Sequence, residues 1–580
     1  MHAVLCLAAL LSAFCYYLIW LLVLSLHKRQ RDSQLPVEPY FVSLLKVILL
    51  RRGWDPLQFI RSSKSLFYNA RPVRFRILFH ELYIVQGAVN IAAFFKQRSL
   101  SGFHVHQILL RNVFALPASA AETAQKDDSG DLSSPHPGSK GAVEPRNRVE
   151  FLTMSSLSRG LKGAGLASLS SKFKHNIMAR LDQLDLTTDW SHWSDFAGIF
   201  HTQLAAASID TLCGPFLVAS NPGFMEDLWT VDKNVLTLFA CLPRFFAPEV
   251  YRARDRLLAA IKAWHAWARD AFHPESIDSA GDDPYWGTEF FRQRQAIFGA
   301  MNGFDLNAMA TEDLAFVWGY VFFSLPGAYH FNIIVPLGAN CNSSNKATFS
   351  VNQNMVIVAY WCCIEVYRDP PLLEQVRKEA AACISPHTQS LAQDASVSFN
   401  MDKLTGQPTL QAVYAETLRL RIHAVITRYT SRADVHLGGW TIPKDRAVLT
   451  STAAGHLDED IWCQPHGDQH SRLPPVDEFY AGRFLQSFSS PSSPQEEPLR
   501  FSIPQVQGAW MPYGVGAHAC SGRQFAKTSI ILMLALMVTQ FDVHVLATKE
   551  QLRMCTRNFG FGALSPKGPV GVRIRRRARV

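Results

Sequence analysis

The chain lacks regularly spaced pairs of cysteines. Its eleven Cys are scattered over 580 residues, so neither a disulfide framework nor a zinc site is predicted, and a reducing compartment suits the bulk of the chain. Cys362 and Cys363 are adjacent in an apolar helical run, where we expect buried thiols. Internal repeats and nucleic-acid motifs are also absent from the sequence. Nucleic acid is therefore not an expected partner, and the fold is not a repeat array.

Charged residues are scarce, at 18% of the chain, whereas hydrophobic residues reach 48% and include 38 Phe and 13 Trp. This composition allows a large core or a large apolar pocket. The net charge of +9 has two readings. The excess of Lys and Arg is either an ordinary property of a soluble surface, or it favours contact with an anionic membrane or an acidic redox partner.

The first residues lack charge altogether. Residues 3 to 26 could form about 36 Å of helix, which is enough to cross a hydrocarbon core of about 30 Å. We predict a transmembrane anchor over residues 1–27, a basic and proline-containing hinge over 28–40, and a catalytic domain over 41–580. The basic cluster that begins at Lys28 predicts that the domain faces the cytosol. The alternative for the apolar run is a cleaved signal peptide.

Apolar periodicity predicts a mainly α chain with small β-sheets. Residues 73–85 have strand character, and residues 252–272 form an amphipathic helix. A further helix over 359–368 should end before Pro370, and a new helix follows it. Residues 118–147 are rich in small and polar residues and contain almost no large apolar ones. They predict a surface loop or a disordered insertion.

The richest chemical signal is a glycine-rich segment around Cys520. Gly514 and Gly516 precede the cysteine by six and four residues, and Gly522 follows it by two. Such a loop lets the backbone pass close to a flat ligand, with amides near the sulfur. An apolar helix follows over 524–539, and a helix start should lower the pKa of the thiol. The alternative is a glycine-rich turn with a buried cysteine.

This segment resembles the haem-binding signature of the cytochromes P450. Tyr513 stands where the family usually has Phe, and His518 stands at the basic position. The resemblance implies that Cys520 is the axial sulfur ligand of the iron of haem b, and that His518 reaches a haem propionate. It also implies the P450 fold.

Two further motifs of that family occur in the expected order. Glu416 and Arg419 match its Glu-x-x-Arg pair, and at i and i+3 they share one helix face. Arg483 lies in a segment resembling the family's Phe-x-Pro-x-Arg-Phe, with Ala481 in place of the proline. The resemblance implies a buried triad of Glu416, Arg419 and Arg483. It also implies that Arg428, in a strand and hairpin, binds a propionate.

The family's oxygen-activating motif is not found on the central helix. Asn354 instead precedes Trp361 by seven residues. This resembles the branch that holds sterol 7α-hydroxylase, prostacyclin synthase and many fungal relatives. The resemblance implies that the Asn354 amide bonds bound oxygen or a substrate oxygen. The alternative is an asparagine that lines the pocket or caps a helix.

Residues 323–349 interrupt the same helix with prolines, glycines and an Asn/Ser cluster. Joining Phe322 to Ser350 restores an uninterrupted apolar helix. We therefore predict an insertion, either genuine or translated from a retained intron.

The resemblance implies a monooxygenase that hydroxylates or oxidises a lipophilic compound, such as a terpenoid, sterol or other secondary metabolite. It would use O2, electrons from NADPH-cytochrome P450 reductase, and a single-pass anchor in the endoplasmic reticulum membrane. Two alternatives stay open at this point. One is a reductase-independent isomerase or dehydratase of an oxygenated lipid, and the other is an inactive haem binder.

Overall fold

Most of the described chain is helical. The computed structural model describes residues 40–42, 56–58, 60, 72–77, 80–97, 99–136, 138–139, 143–319, 352–385, 398–431, 433–437, 439–464, 473–486, 499–504, 506–516 and 519–578. The longer helices are α1 (Ala88–Lys96), α2 (Phe103–Asn112), α3 (Ala118–Lys126), α4 (Val149–Gly160), α5 (Gly163–Asp182), α6 (Ala205–Cys213), α7 (Phe224–Lys233), α8 (Pro248–Ala271), α9 (Glu289–Gly299), α10 (Leu306–Gly319), α11 (Asn352–Arg368), α12 (Pro370–Ala381), α13 (Pro408–Arg421) and α14 (Arg523–Gln540).

Shorter helical turns connect these elements. They are Pro145–Asn147, Ala197–Ile199, the π-helical turn Phe200–Leu204, Phe216–Ala219, Val235–Phe239, Arg244–Phe246, Pro274–Ser276, Met401–Thr405, Thr452–His456, Glu459–Trp462, Ala481–Phe484 and Thr556–Asn558.

The strands form small sheets at the edge of the helical body. They are β1 (Tyr40–Val42), β2 (Val73–Ile77), β3 (His80–Ile84), β4 (Ser191–Trp193), β5 (Ile422–Tyr429), β6 (Val435–Leu437), β7 (Trp440–Ile442), β8 (Ala447–Ser451), β9 (Leu485–Gln486), β10 (Arg500–Phe501), β11 (Phe541–Val545), β12 (Phe561–Ala563) and β13 (Val572–Arg576). The largest sheet has the order β1-β2-β3-β8-β5-β12, and β11-β13-β4 form a second. The pairs β9–β10 and β6–β7 complete the set. The predicted mainly α fold with small sheets is confirmed.

The core is organised around α14. Its residues 529–538 are all buried, as expected of a helix that is apolar on almost every side. α14 packs against α5, α11 and α12, and α10 packs against α8 and contacts α11. Trp361 and Trp462 are fully buried within this body. The cysteine that precedes α14 therefore lies next to a fully packed part of the core.

Several predicted elements are confirmed. Within the segment 73–85, residues 73–77 form β2 and residues 80–84 form β3, and residues 252–271 of the amphipathic segment lie in α8, where Trp264 is fully buried in packing. α11 ends before Pro370, which opens α12. The Asp369 side chain caps α12 by accepting from the backbone N–H of Leu372 at 3.1 Å.

The prediction of a loop or disordered insertion over 118–147 is wrong at its start. Residues 118–126 form α3, and its Ala120 and Ala124 are buried. Alanine is the best helix former, and its small side chain lets the helix lie close to its neighbours. Beyond the helix, Asp127 accepts from the backbone N–H of Glu150 at 3.0 Å, which ties this stretch to α4.

Two predicted segments lie outside the described residues. These are the anchor over 1–27 with nearly all of the hinge over 28–40, and the insertion over 323–349. Within the part of the chain that the structure describes, no helix has the length and apolar character needed to cross a bilayer.

Candidate active site

Cys520 lies at the bend that leads into α14. It is buried, with 5% of its surface exposed, and its backbone N–H donates to the carbonyl of Tyr513 at 2.9 Å. Gly514 and Gly516 have φ values of 68° and 76°, the left-handed region where glycine is favoured. Two of the three glycines predicted to shape this loop thus adopt a conformation that favours glycine, whereas Gly522 has a φ of -84°.

The electrostatics of Cys520 differ from the prediction. Burial raises the pKa of its thiol to about 12, and the backbone N–H groups of Gly522 and Arg523 and the charge of Arg523 oppose this only in part. The expected lowering by the helix start is therefore wrong for the protein without a bound cation. The amides predicted to reach the sulfur are present. Burial therefore favours the protonated thiol, and a bound cation would favour the thiolate.

The predicted triad is present behind this loop. Arg419 donates to both carboxylate oxygens of Glu416, at 2.7 and 2.8 Å, and Arg483 Nε donates to the same carboxylate at 3.2 Å. All three side chains are fully buried in their ion pairs. Arg483 also donates to the carbonyls of Pro474 and Pro475, so the excess positive charge is solvated by backbone dipoles.

A pair of buried phenols near the cysteine was not predicted. The hydroxyl groups of Tyr414 on α13 and Tyr513 lie 2.8 Å apart. Burial raises the pKa of both phenols, and the nearby Cys520 adds to the effect. The tyrosine at the usual Phe position is the sequence signal for this pair, because a buried hydroxyl needs a partner.

A cavity extends from the cysteine loop to α10. Its lining residues are Phe95, His106, Leu109, Thr153, Met154, Leu157, Arg294, Glu312, Ala315, Phe316, Trp318, Gly319, Ile426, Arg428, Tyr513, Gly514, Ala519, Cys520 and Ser521. Eleven of the seventeen side chains are aliphatic, aromatic or sulfur-containing, and the six polar ones are His106, Thr153, Arg294, Glu312, Arg428 and Ser521. This is the usual composition of a pocket for an apolar small molecule or cofactor.

Arg428 on β5 brings a buried positive charge to this cavity. It is 3% exposed, and its Nη1 has no hydrogen-bond partner within the described chain. Burial lowers its pKa to about 10, although Asp131 opposes the shift. A buried guanidinium with a free N–H is costly unless an acceptor joins it. Arg428 and Cys520, predicted from separate motifs, therefore face one space.

Asn354 is not among the residues that line the cavity. Its Oδ1 accepts a hydrogen bond of 2.6 Å from the backbone N–H of Ala563, next to Gly562 of β12. The Oδ1 atom is thus used by the fold, whereas a contact with bound oxygen would need the Nδ2 donor, so the predicted role of Asn354 stays a prediction. His518 lies outside the described residues, so its predicted role stays a prediction.

A buried charged cluster on the α10 side of the cavity was also not predicted. Arg294 Nε donates to Asp313 at 2.8 Å, while His265 Nε2 and Gln295 Nε2 lie 3.1 and 2.9 Å from the other Asp313 oxygen. Glu312, the neighbour of Asp313, lines the cavity. Two consecutive acids in an apolar helical run are the signal that could have drawn attention to this cluster.

Comparison with known proteins agrees with this geometry. The family described as "Cytochrome P450" matches residues 353–572. The cytochrome P450 monooxygenase efuG of Hormonema carpetanum is 27% identical over 567 residues, covering 94% of this chain and 89% of the relative. The cytochrome P450 monooxygenase fsoE of Humicola fuscoatra is 28% identical, covering 87% and 81%. The solved structure "Retinoic acid bound cyanobacterial CYP120A1" has a TM-score of 0.57 at 16% identity, covering 94% of this chain and all of that one.

The fold and the cysteine-centred cavity are those of a haem-thiolate protein. The chain belongs to the cytochrome P450 superfamily, and it is a P450 monooxygenase.

The residues present fit the cofactor that this family implies. Cys520 supplies a buried sulfur with the backbone N–H groups of Gly522 and Arg523 beside it, and Arg428 supplies an N–H without an acceptor, as a haem propionate would require. Apolar side chains form most of the remaining wall. The cavity therefore offers a metal ligand, an anion partner and an apolar surface for a flat ring.

Proposed function

We propose that this chain oxidises a lipophilic small molecule, such as a terpenoid, sterol or other secondary metabolite, with O2 and electrons from NADPH-cytochrome P450 reductase. The single observation that carries the proposal is the largely apolar cavity that contains both Cys520 and Arg428. The two fungal relatives named above are monooxygenases. We further propose an anchor in the endoplasmic reticulum membrane, on the strength of the uncharged residues 3 to 26 and the basic cluster after them.

Each site residue has a proposed role. Cys520 would hold the iron of haem b through its sulfur, and the amides of Gly522 and Arg523 would tune that sulfur. Arg428 pairs with a propionate, and we keep the same proposal for His518. Gly514 and Gly516 allow the loop to approach the ring. Bound haem supplies the activation of O2, while the chain binds and orients the substrate and excludes water.

The apolar walls support the substrate class. Leu109, Met154, Phe316 and Trp318 bring aliphatic and aromatic surface from three helices to one space. Removing apolar ligand surface from water contributes about 25 cal/mol per Å². A hydrocarbon framework gains more from this cavity than a charged metabolite would.

The decisive experiment has two stages. The reduced protein with CO should give the absorption band of a thiolate-ligated haem, and Cys520→Ala should lose that band. Incubation with reductase, NADPH and a substrate panel should then give oxidised product with matching consumption of O2. A wild-type protein without the thiolate band would contradict the haem-thiolate role. Product formed without reductase would point to the isomerase or dehydratase alternative, and absent turnover on every substrate to the inactive binder.

A further inference from the structure

Glu312 has fewer close polar partners than its buried neighbour Asp313. Its side chain is 3% exposed, and the nearest guanidinium nitrogen, Nη2 of Arg294, lies 3.9 Å from its Oε2. Its other oxygen, Oε1, has no hydrogen-bond partner within the residues that the structure describes. The residue nevertheless forms part of the cavity wall. A buried carboxyl oxygen without a partner is costly, so this position calls for a donor or acceptor that arrives with a ligand.

Glu312 is one of two carboxyl groups that share the single guanidinium of Arg294. Arg294 donates to Asp313 at 2.8 Å, and Asp313 also has His265 and Gln295 as close neighbours. The charge of Arg294 is thus largely taken by Asp313. Burial raises the pKa of Glu312 to about 7, and Asp313 adds to the rise while Arg294 opposes it. At neutral pH the carboxyl therefore exists in both forms and can either donate or accept a hydrogen bond.

A second polar atom faces the same cavity without a partner. Thr153 on α4 is buried, with 5% of its surface exposed, and its Oγ1 makes no hydrogen bond within the described chain. Thr153 and Glu312 come from helices that are far apart in sequence, yet both line this space. These two groups are polar points in a wall that also contains the apolar side chains of Leu109, Met154 and Phe316. Such points orient a ligand and discriminate between ligands.

We propose that Glu312 forms a subsite that binds a hydroxyl group on the otherwise apolar substrate, with Thr153 as a supporting contact. The proposal rests on the monooxygenase function above and narrows its substrate class to lipophilic alcohols. A hydroxyl group suits the site because it can donate to the ionised carboxyl and accept from the protonated one. A ligand carboxylate would meet the negative charge of Asp313 one residue away. A pure hydrocarbon would leave Oε1 unpaired.

The test compares matched ligands on the holoenzyme. The probes are 1-adamantanol with adamantane, cyclododecanol with cyclododecane, and 5α-androstan-3β-ol with 5α-androstane. Binding is measured by the Soret difference spectrum and by calorimetry. For at least one framework, the alcohol should bind about tenfold more tightly than its hydrocarbon, because the hydrocarbon leaves a buried carboxyl oxygen unsatisfied.

Variants assign that preference to Glu312. Glu312→Leu should abolish the preference and leave hydrocarbon binding in place, whereas Glu312→Gln, which still donates and accepts, should keep part of it. Glu122→Gln, an exposed acid on α3 that pairs with Lys126, is the matched control and should behave as wild type. The proposal is overturned if no alcohol binds more tightly than its hydrocarbon, or if the preference survives in Glu312→Leu. An intact thiolate-haem spectrum in either case leaves the proposed function standing.

Discussion

Asn354 Oδ1 accepts a hydrogen bond of 2.6 Å from the backbone N–H of Ala563, and this bond joins the first turn of α11 to β12. Seven residues later on the same helix face, Trp361 Nε1 donates to the carbonyl of Leu564 at 2.9 Å. The spacing of seven thus has a structural explanation. Residues two helical turns apart fasten one helix to two consecutive residues of the segment beside it.

Asn354→Ala should reduce stability by about 1–3 kcal/mol, because the half-buried N–H of Ala563 loses its acceptor. Asn354→Asp keeps an acceptor oxygen and should lose less. Denaturant unfolding of the two variants beside wild type measures the difference. If Asn354→Ala instead keeps full stability but loses oxygen-dependent turnover, the residue acts on the oxygen side of the haem as its sequence context implied.

Gly562 is expected to depend on the same contact. Its φ is +127°, and an added Cβ would lie 2.2 Å from Asn354 Oδ1. Gly562→Ala should therefore destabilise the protein through both strain and collision. In the double variant with Asn354→Ala the collision is gone. The losses of unfolding free energy in the two single variants should therefore sum to more than the loss in the double variant. Strict additivity of the two losses would argue against the contact.

The part of the site around Cys520 and the triad could be predicted from sequence because its motifs consist of residues close together in the chain. Glu416 and Arg419 lie one helical turn apart, and the glycines around Cys520 indicate the backbone conformation at their own positions. The partner of Asn354 lies 209 residues away, and a side chain's hydrogen-bond partner cannot be seen in a spacing. Glu312 illustrates the same limit. That its carboxyl lacks a close cationic partner can be recognised only from the structure, in which Arg294 donates its hydrogen bond to Asp313.

Breaking the triad should be far more damaging than breaking a surface pair. Glu416→Ala leaves two buried guanidinium groups, Arg419 and Arg483, without their shared carboxylate. Removing one partner of a buried pair costs about 3–5 kcal/mol. The expected result is little soluble holoenzyme and a lowered melting temperature in what remains. The exposed pair of Arg252 and Glu249 provides a control, and Glu249→Ala should cost less than about 1 kcal/mol.

Arg428→Leu tests the propionate role separately from folding. The wild-type Nη1 has no partner in the described structure, so removing the buried charge should cost the protein without cofactor little beyond the contacts of the guanidinium with the rings of Phe94 and Phe95, each 5.2 Å away. Haem retention should fall, because a propionate would lose its cation. Transfer of haem to excess apomyoglobin measures this loss, and a faster transfer than from wild type is expected. An unchanged transfer rate would mean that Arg428 does not bind a propionate.

Acid should destabilise the protein through buried neutral histidines. Burial lowers the pKa of His201, His423 and His456 from 6.5 to about 3. For His456, the nearby His423 and Arg419 add to the effect. Below pH 6.5 the unfolded chain binds protons that the folded chain cannot, so the free energy of unfolding falls as the pH drops toward about 3. Each histidine contributes a slope of up to about 1.4 kcal/mol per pH unit.

His456→Gln isolates one of these contributions. The wild-type Nε2 accepts from the backbone N–H of Met511 at 3.1 Å, so the ring is neutral, and protonation would break this bond. The substitution itself lowers the free energy of unfolding at every pH. The informative quantity is therefore the slope of that free energy against pH between pH 6.5 and 4.5. That slope should be shallower in His456→Gln than in wild type. The exposed His192→Gln serves as the control. Equal slopes in all three proteins would show that His456 takes up its proton without unfolding the chain.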